Sequence, residues 1–297
     1  MTEFEVQTVR AGVLDVAVER RGDHNGPPVV LLHGFPYDTR AYDEVARRLA
    51  ARGADVVVPY LRGYGPTRFV DDATPRSGQQ AALAHDLHEL LIALDLGPAV
   101  VAGYDWGGRA ACLTAMLWPE SVAGLVTADG YNVQNISASG RPASPRTERA
   151  LWYQFYLHAE RGRAGLAAHR AEFARVLWQD WSPGWAFTDE DFAATAPSFE
   201  NPDFVDVVVH SYRHRFGLVG GDPAYQAGED QIAEQPVIEV PTIVVDATRD
   251  GLGEAAPPEE HRRHFTRLVA NPRLPVGHNV PQEAPAEFAE AVATLRF

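Results

Sequence analysis

A carboxylate between two glycines is the residue of this chain best placed to do chemistry. Asp105 lies in the sequence GYDWG at residues 103–107, between an apolar run and a helical pattern. Small flanking residues permit a strained strand-to-helix turn that exposes one side chain, the arrangement Gly-x-nucleophile-x-Gly. The alternative interpretation is an ordinary glycine-rich turn in which Asp105 caps the helix. This pattern alone leaves both interpretations open, because short glycine patterns recur by chance.

Three further segments favour the nucleophile interpretation. Phe35 lies in the sequence HGFP just past a buried apolar run. Its backbone N–H and that of Trp106 are expected to form an oxyanion hole. His278 lies in a loop late in the chain, and Asp250 follows a strand-like run, where an acid orients such a histidine. The order along the chain is therefore nucleophile, acid and histidine.

These residues need elements that bring them together, and the pattern of the chain predicts an α/β core. Apolar runs alternate with helical patterns over residues 1–130 and again over residues 236–297. Residues 131–235 between them are rich in aromatic residues and arginine and contain no strand-like run. We therefore predict a core domain formed by the first two ranges and a helical insertion formed by the third.

Strands are predicted from apolar runs and from period-two alternation, and helices from apolar positions three and four residues apart. An antiparallel pair is predicted first, and the predicted strands cover residues 4–10, 12–20, 29–32, 54–58, 99–103, 122–128 and 240–246. The predicted helices cover residues 42–51, 78–94, 106–117, 147–160, 164–178, 203–216, 258–268 and 285–295.

Composition and charge exclude several classes of function. The chain has 297 residues and one cysteine, Cys112, which excludes a disulfide scaffold, and no cysteine–histidine cluster has zinc spacing. All 26 basic residues are arginine, which excludes lysine-based Schiff-base chemistry and a Walker-type phosphate loop. The net charge of −14 argues against nucleic acid as a partner. Neither a cofactor nor a metal is expected.

The chain also lacks the pattern of a membrane protein. Its first residues, MTEFEV, form neither a basic nor an apolar leader region, and no apolar run approaches the ~18 residues of a membrane span. We therefore expect a cytoplasmic monomer or homodimer whose partners are a small hydrophobic molecule and water.

Together these motifs resemble the α/β-hydrolase superfamily, and an aspartate in the nucleophile position resembles its epoxide hydrolases and haloalkane dehalogenases. The resemblance extends from the strand before Phe35 to the last helix. It implies an α/β-hydrolase fold, with a mostly parallel eight-stranded sheet and an inserted helical cap. It also implies that Asp105 is the nucleophile, that His278 is the base and that Asp250 orients this base.

An aspartate nucleophile suits a saturated carbon. An ionised carboxylate, whose ordinary pKa is about 3.9, displaces a leaving group without a base of its own and forms an alkyl ester. Water activated by a histidine hydrolyses such an ester, whereas a serine would form an ether that no oxyanion hole helps to cleave. The expected reaction therefore passes through an alkyl ester on Asp105.

The leaving group distinguishes an epoxide from a halide. An epoxide leaves as a basic alkoxide and needs an acid, and phenols with a pKa of about 10 are suitable donors. By resemblance to epoxide hydrolases, Tyr153 and Tyr212 match the ring-opening tyrosines, and Tyr156 is an alternative on the same helical stretch. The haloalkane dehalogenase alternative stays open, because Trp106 matches an indole halide donor. Phe35 argues against it, since many dehalogenases have asparagine there.

The aromatic residues of the insertion predict an apolar pocket above the nucleophile. The expected substrate-binding residues are His33, Trp152, Tyr156 and Trp185. We therefore expect an epoxide hydrolase whose substrate is a bulky or aromatic epoxide and whose product is a vicinal diol.

Two alternatives remain at this point. Asp129 follows the strand after the elbow helix, a position that some dehalogenases use for the triad acid, although the strand and loop spacing favours Asp250. A hydrolase-fold receptor that binds its ligand without turnover is the alternative from another functional class. The intact set of nucleophile, histidine and acid argues against such a receptor.

Overall fold

The computed structural model describes residues 5–295 and contains one mixed β-sheet with helices packed against it. Phe4, the first residue of the first predicted strand, lies outside the described residues, as do the three residues before it. The strands are β1 (Glu5–Ala11), β2 (Leu14–Gly22), β3 (Pro28–Leu32), β4 (Asp55–Pro59), β5 (Arg68–Phe69), β6 (Ala99–Gly103), β7 (Val122–Ala128), β8 (Thr242–Ala247), β9 (Leu268–Ala270) and β10 (Arg273–Leu274).

The order of strands across the sheet is β1-β2-β4-β3-β6-β7-β8-β10, so the main path has eight strands. From β4 to β10 neighbouring strands run parallel, whereas β2 pairs antiparallel with β1 and β4. The predicted mostly parallel eight-stranded sheet is confirmed. The strands β5, β9 and β10 are not predicted by the sequence, because two or three residues are too few to show a period.

The central strands explain where functional residues gather. The strands β6 and β8 are buried along their whole length, and β3 is buried after its first residue. The sequences of β3 and β6 are continuous apolar runs, and β8 is apolar over residues 243–245, as is typical of parallel strands covered on both faces. The carboxyl ends of parallel strands meet at one edge of the sheet, so the loops that follow β3, β6, β7 and β8 come together there.

Most of the helices lie in the predicted positions. The helices between β7 and β8 lie within residues 131–235, here called the insertion. In the range 5–295 no helix is long and apolar enough to cross a membrane. The helices are α1 (Asp43–Ala50), α2 (Gln80–Ala93), α3 (Asp105–Leu117), α4 (Pro145–Ala150), α5 (Trp152–His158), α6 (Glu160–Ala168), α7 (Arg170–Trp181), α8 (Asp189–Thr195), α9 (Phe204–His214), α10 (Gln226–Ala233), α11 (Pro258–His264), α12 (Val280–Glu283) and α13 (Pro285–Thr294), with 3-10 helices at Thr39–Tyr42, Pro119–Ser121, Ile136–Ala138, Ala196–Glu200 and Pro223–Tyr225.

Several helix boundaries differ from the predictions. The helix predicted over 147–160 is two helices, α4 and α5, and the helix predicted over 164–178 spans the break between α6 and α7. The helix predicted over 258–268 ends with α11, because the chain then pairs with β8 as β9. The helix α8 is not predicted, although Thr188 and Asp191 form a capping box at its start.

The insertion is tied to the loop that follows β3. Nε1 of Trp178 donates to the carbonyl oxygen of Pro36 at 2.8 Å. The buried carboxylate of Asp38 accepts from the hydroxyls of Thr195 and Ser198 at 2.9 and 2.6 Å. The loop after β3 therefore anchors the helical part of the molecule to the sheet.

Candidate active site

Asp105 lies on a sharp turn between β6 and α3. Its backbone φ of +50° is in the left-handed region that residues other than glycine rarely adopt. Gly107 makes the turn possible, because a Cβ there would lie 2.0 Å from the carbonyl oxygen of Leu32. At Gly103 a Cβ would lie 2.4 Å from the carbonyl carbon of Gly107. Close backbone contact therefore requires both glycines, and the turn presents the carboxylate at the edge of the sheet.

The loop after β3 supplies a hydrogen-bond donor to this carboxylate. The backbone N–H of Phe35 donates to Oδ1 of Asp105 at 2.7 Å. Gly34 permits this approach, because a Cβ there would lie 2.6 Å from Cβ of Asp105. Trp106 is in the first turn of α3, where backbone N–H groups have no acceptor within the helix. Its N–H is a second candidate donor on the same side of the site.

His33 braces this loop and is not available to bind substrate, contrary to the prediction. Its Nε2 accepts from the backbone N–H of Leu61 at 3.1 Å, and its Nδ1 lies 3.0 Å from the carbonyl oxygen of Gly34. A neutral ring with its hydrogen on Nδ1 satisfies both contacts. Burial lowers the pKa of His33 to about 4, so the ring is neutral at pH 7.

His278 lies between two carboxylates. Its Nδ1 is 2.6 Å from Oδ2 of Asp250, and its Nε2 is 3.7 Å from Oδ2 of Asp105. The first distance is a hydrogen bond, and the second is an ion-pair contact that is too long for one. Burial lowers the pKa of His278, but the charges of Asp250 and Asp105 outweigh burial and raise it well above its usual value. The backbone N–H of Leu252 holds Asp250 in turn, at 2.8 Å from its Oδ1.

The same surroundings keep the nucleophile ionised. Burial raises the pKa of Asp105, but His278, the charge of Arg109 and the N–H of Phe35 together bring it below its ordinary value. The ionised carboxylate is the form that the predicted nucleophile requires.

Asp129 lies behind the acid rather than on the histidine. Its Oδ1 accepts from the backbone N–H of Ala247 at 2.8 Å, and its φ is +58°. Burial and the charge of Asp250 raise the pKa of Asp129 to about 8. Ligand atoms of Asp129, Asp250 and His278 lie within 4.8 Å of one another, as metal ligands do. Asp250 already occupies Nδ1 of His278, so these two residues are hydrogen-bonded to each other and Asp129 is their neighbour.

Two phenols of the insertion pack over Phe35, next to the nucleophile. Tyr153 on α5 and Tyr212 on α9 are 2% and 0% exposed, and their ring centroids lie 5.2 Å apart, edge to face. The ring centroid of Phe35 is 6.3 Å from that of Tyr153 and 5.3 Å from that of Tyr212. Nε2 of Gln154 donates to the Tyr153 hydroxyl at 2.9 Å, whereas the Tyr212 hydroxyl has no hydrogen-bond partner within residues 5–295. Burial raises the pKa of Tyr153 to about 12 and that of Tyr212 well above its usual value, so both keep their protons.

Trp181 packs between the core and the insertion at the candidate site, although it is not among the predicted site residues. Its ring centroid lies 5.0 Å from that of His278 and 5.1 Å from that of Tyr153. Its carbonyl oxygen accepts from the N–H groups of His278 and Gly251 at 3.2 and 2.9 Å. Trp181 thereby joins α7 to the loops of the base and the acid. The apolar face of α7, which includes Trp178 and Trp181, is the sequence signal that points to it.

Three of the predicted substrate contacts have different surroundings. Tyr156 directs its hydroxyl toward Gly165. Trp185 stacks on Trp178, with ring centroids 5.3 Å apart. Trp152 is 36% exposed and lines a cavity of about 800 Å³ whose wall also includes Trp181 and Asp250. The binding of substrate by these three residues stays a prediction.

Comparisons with known proteins identify similar chains. Residues 27–253 match the family model described as the alpha/beta hydrolase fold. A crystal structure from Klebsiella pneumoniae subsp. pneumoniae, whose protein carries the provisional name epoxide hydrolase, is 42% identical in sequence and superposes with a TM-score of 0.96. That superposition covers 98% of this chain and 97% of the other.

Two curated relatives carry epoxide hydrolase names. The chain is 27% identical over 296 residues to the epoxide hydrolase of Caballeronia sordidicola, which covers 92% of this chain and 87% of that protein. It is 32% identical over 155 residues to epoxide hydrolase B of Mycobacterium tuberculosis, which covers 47% of this chain and 42% of that protein.

Proposed function

The chain belongs to the α/β-hydrolase fold family, in its epoxide hydrolase-like branch, and we propose that it converts a bulky or aromatic epoxide to a vicinal diol through an ester on Asp105. The observation that carries this proposal is the pair of buried, protonated phenols, Tyr153 and Tyr212, beside an ionised carboxylate. In this proposal the insertion acts as a cap over a core of residues 1–130 and 236–297.

In the first half of the reaction, Oδ2 of Asp105 attacks an epoxide carbon. The N–H of Phe35 holds Oδ1, so Oδ2 is the oxygen left for the attack. A carbon–oxygen bond forms to Oδ2 while the ring carbon–oxygen bond breaks, and the ring oxygen takes a proton from Tyr153 or Tyr212. The charge of Arg215 lowers the pKa of both phenols against the larger effect of burial, so it stabilises the phenolate.

In the second half, water hydrolyses the ester. His278 takes a proton from the water that attacks Cγ of Asp105, and Asp250 stabilises the imidazolium through Nδ1. The N–H groups of Phe35 and Trp106 stabilise the charge on Oδ1. The bond from Cγ to Oδ2 then breaks, and the former Oδ2 takes the proton held by His278 and leaves as a hydroxyl oxygen of the diol. The second proton of the water, on the re-formed carboxyl group, returns the phenolate to the phenol and leaves Asp105 ionised.

Haloalkane dehalogenation is the second candidate, and two indole groups favour it. Nε1 of Trp106 and Nε1 of Trp181 are buried and have no hydrogen-bond partner in the described part of the chain. A halide leaves as a stable anion, so two N–H donors suffice and no phenol is needed. The ester on Asp105 and its hydrolysis are the same in both candidates.

The test is one turnover of styrene oxide in H₂¹⁸O, followed by mass spectrometry. The first diol is expected to contain no solvent oxygen, because the new hydroxyl oxygen comes from the protein. The tryptic peptide of residues 77–109, which contains Asp105, is expected to gain ¹⁸O. Digestion in ordinary water and a sample without epoxide control for exchange. Solvent oxygen in the first diol, with an unlabelled peptide, would exclude the ester. Halide release from a matching haloalkane, without diol from the epoxide, would favour dehalogenation.

A further inference from the structure

A short stretch of the core, residues 76–81, leads into α2 and bonds the helix α9 of the insertion at two places. Nε of Arg76 donates to Oδ1 of Asp203 at 2.8 Å, at the start of α9. The backbone N–H of Gly78 donates to Nδ1 of His210 at 3.0 Å, further along the same helix. This core segment therefore holds the helix that carries one of the two phenols, separately from the loop after β3.

The helix α9 presents one face to the core segment and another to the candidate site. A Cβ at Gly78 would lie 2.2 Å from the carbonyl oxygen of Val207 and 2.8 Å from Cβ of Ser211, so this close approach requires glycine. Residues two apart on a helix are separated by about 200° around its axis. Tyr212 therefore points away from the side on which His210 is bonded. His210 acts on the phenol through the position of the helix.

Gln80 extends the same attachment to the other side of Tyr212 along the chain. Its side-chain amide bonds both the N–H and the carbonyl oxygen of Gln134, at 3.0 and 3.1 Å. The side-chain oxygen of Gln134, in the orientation that satisfies both groups, accepts from Nε and Nη1 of Arg215 at 3.1 and 3.2 Å. The guanidinium of Arg215 lies 4.3 Å from the ring centroid of Tyr212, a cation–π contact. The core segment thus reaches Tyr212 through His210 before it and through Arg215 after it.

The two hydrogen bonds of His210 require a neutral ring. Its Nδ1 accepts from the N–H of Gly78, and its Nε2 lies 3.1 Å from the carbonyl oxygen of Gly220, which is an acceptor. The hydrogen of the neutral ring is therefore on Nε2. A second proton would occupy Nδ1 and place one donor against another, so that the bond to Gly78 would be lost.

The groups that face His210 favour this neutral ring at pH 7. Burial lowers the pKa of His210 below its usual value. The positive charges of His214, on the same helix, and of Arg62, on the loop after β4, act in the same direction. The carbonyl of Gly220 and the charge of Asp222, between α9 and α10, oppose them with a smaller effect. The ring therefore takes up its second proton only as the pH falls below about 6.5.

We propose that His210 is a positioning residue for ring opening, which keeps Tyr212 in place as long as its Nδ1 accepts from Gly78. This inference rests on the proposed function, because Tyr212 is a ring-opening donor only if the substrate is an epoxide. Protonation of His210 detaches this part of α9 from the core and slows the opening of the ring. The later hydrolysis of the ester uses His278 and the core loops, so it does not depend on His210.

The test measures single turnovers of styrene oxide between pH 5 and pH 7. Loss of the epoxide gives the rate of ring opening, and the appearance of the diol gives the rate of ester hydrolysis. His210→Ala should open the ring about tenfold more slowly than the wild type at pH 7. The rate of the wild type should fall toward that of His210→Ala at pH 5. His210→Asn offers an amide oxygen to Gly78 and cannot titrate, so it should keep about the wild-type rate at pH 7 and lose less of it at pH 5.

Controls isolate the effect of His210. Other groups that titrate in this range, such as Asp38, are the same in the wild type and in His210→Asn, so the difference between the two pH profiles reports His210. His169→Asn removes an exposed histidine of the insertion and should give the profile of the wild type. A sample without enzyme corrects for acid hydrolysis of the epoxide. Coincident profiles of the wild type and His210→Asn, or equal losses in ring opening and in ester hydrolysis for His210→Ala, would overturn the inference.

Nitrogen NMR of protein with labelled histidine tests the tautomer without turnover. At pH 7 the ring of His210, assigned by the absence of its signals in His210→Asn, is expected to have its hydrogen on Nε2. The other tautomer would overturn the inference. If styrene oxide is opened but the two pH profiles coincide, the proposed function stands and this inference is wrong. If the expected tautomer is found and no epoxide is opened, the attachment of α9 stands, whereas the proposed function and the role of His210 in it are wrong.

Discussion

The core side and the insertion side of the candidate site are built in different ways. On the core side, loops after parallel strands carry the nucleophile, the acid and the histidine, and backbone N–H groups hold both carboxylates. On the insertion side, helices carry the aromatic and basic groups, and several buried polar atoms have no partner within residues 5–295, namely the Tyr212 hydroxyl, Nε1 of Trp181 and Nη2 of Arg215. On the core side, Nε1 of Trp106 is likewise buried and has no hydrogen-bond partner within residues 5–295. In our proposal the core side determines the chemistry, whereas the insertion side determines the leaving group and the substrate.

Replacement of Asp105 on the core side should abolish both candidate reactions. We expect Asp105→Ala to lower kcat/KM about 10⁵-fold or more for epoxides and haloalkanes alike, measured as diol and halide release. Asp95→Ala is the matched control, because Asp95 also has a φ of +50° and lies exposed, before the start of β6, whereas Asp105 follows its end. More than about 1% residual activity in Asp105→Ala would contradict the ester mechanism.

Removal of the acid should have the next largest effect. We expect Asp250→Asn to lower the rate of ester hydrolysis about 10³- to 10⁴-fold. The base must be neutral, so the rate rises as pH rises through the pKa of His278. The charge of Asp250 raises that pKa, and Asp250→Asn should therefore shift the acid limb of the residual activity to lower pH. Single-turnover rates across pH measure both effects. A larger loss in Asp129→Asn than in Asp250→Asn would assign the acid to Asp129.

Changes on the insertion side should separate the two candidate reactions. We expect the double variant Tyr153→Phe with Tyr212→Phe to slow ester formation from epoxides about 10²- to 10³-fold, because the alkoxide then leaves without an acid. Halide release from a haloalkane should survive the same change. Tyr156→Phe is the control, since that hydroxyl faces Gly165. An unchanged rate of epoxide opening in the double variant would remove the observation on which the proposed function depends.

A change where the loop after β3 contacts the insertion should have the smallest effect, which is an effect on stability. Burial raises the pKa of Asp38 to about 7, whereas an aspartate in an unfolded chain titrates at about 3.9. The folded state therefore binds this proton more strongly, and the contribution of Asp38 to the free energy of unfolding falls as pH rises from about 4 to about 7.

The side chain of the Asp38→Asn variant cannot ionise, and its amide is expected to bond the hydroxyls of Thr195 and Ser198 on the insertion. We expect this variant to gain about 2 kcal/mol relative to the wild type between pH 5 and pH 8. Thermal unfolding at both pH values measures the gain. The exposed Asp72→Asn should show no such gain, and a gain equal to that of Asp38→Asn would contradict the assignment.

The core side and the insertion side also differ in how much of each the sequence predicts. The turn around Asp105 is recognisable because close backbone contacts require glycine on both sides of it, and the order of nucleophile, acid and histidine follows the order of the strands. Parallel strands bring their loops to one edge whatever the intervening chain does. The core side can therefore be inferred from local motifs.

The insertion side depends on how helices pack, which local motifs do not contain. Helical spacing alone does not decide whether Tyr153 or Tyr156 faces the candidate site. In the structure Tyr153 faces it, because α5 packs with that side against Phe35 and Tyr212. The apolar face of α7 indicates that Trp181 is buried, but the sequence does not indicate that the end of this helix packs against His278.

The loop after β3 has a consequence for engineering. It supplies the Phe35 N–H to Asp105, and its next residues bond the insertion: Pro36 accepts from Trp178, and Asp38 accepts from the hydroxyls of Thr195 and Ser198. A chimera whose insertion comes from a relative would lose these bonds and displace the N–H of Phe35, which in our proposal stabilises the charge formed on the ester of Asp105. An exchange of insertions between relatives should therefore also exchange residues 33–38.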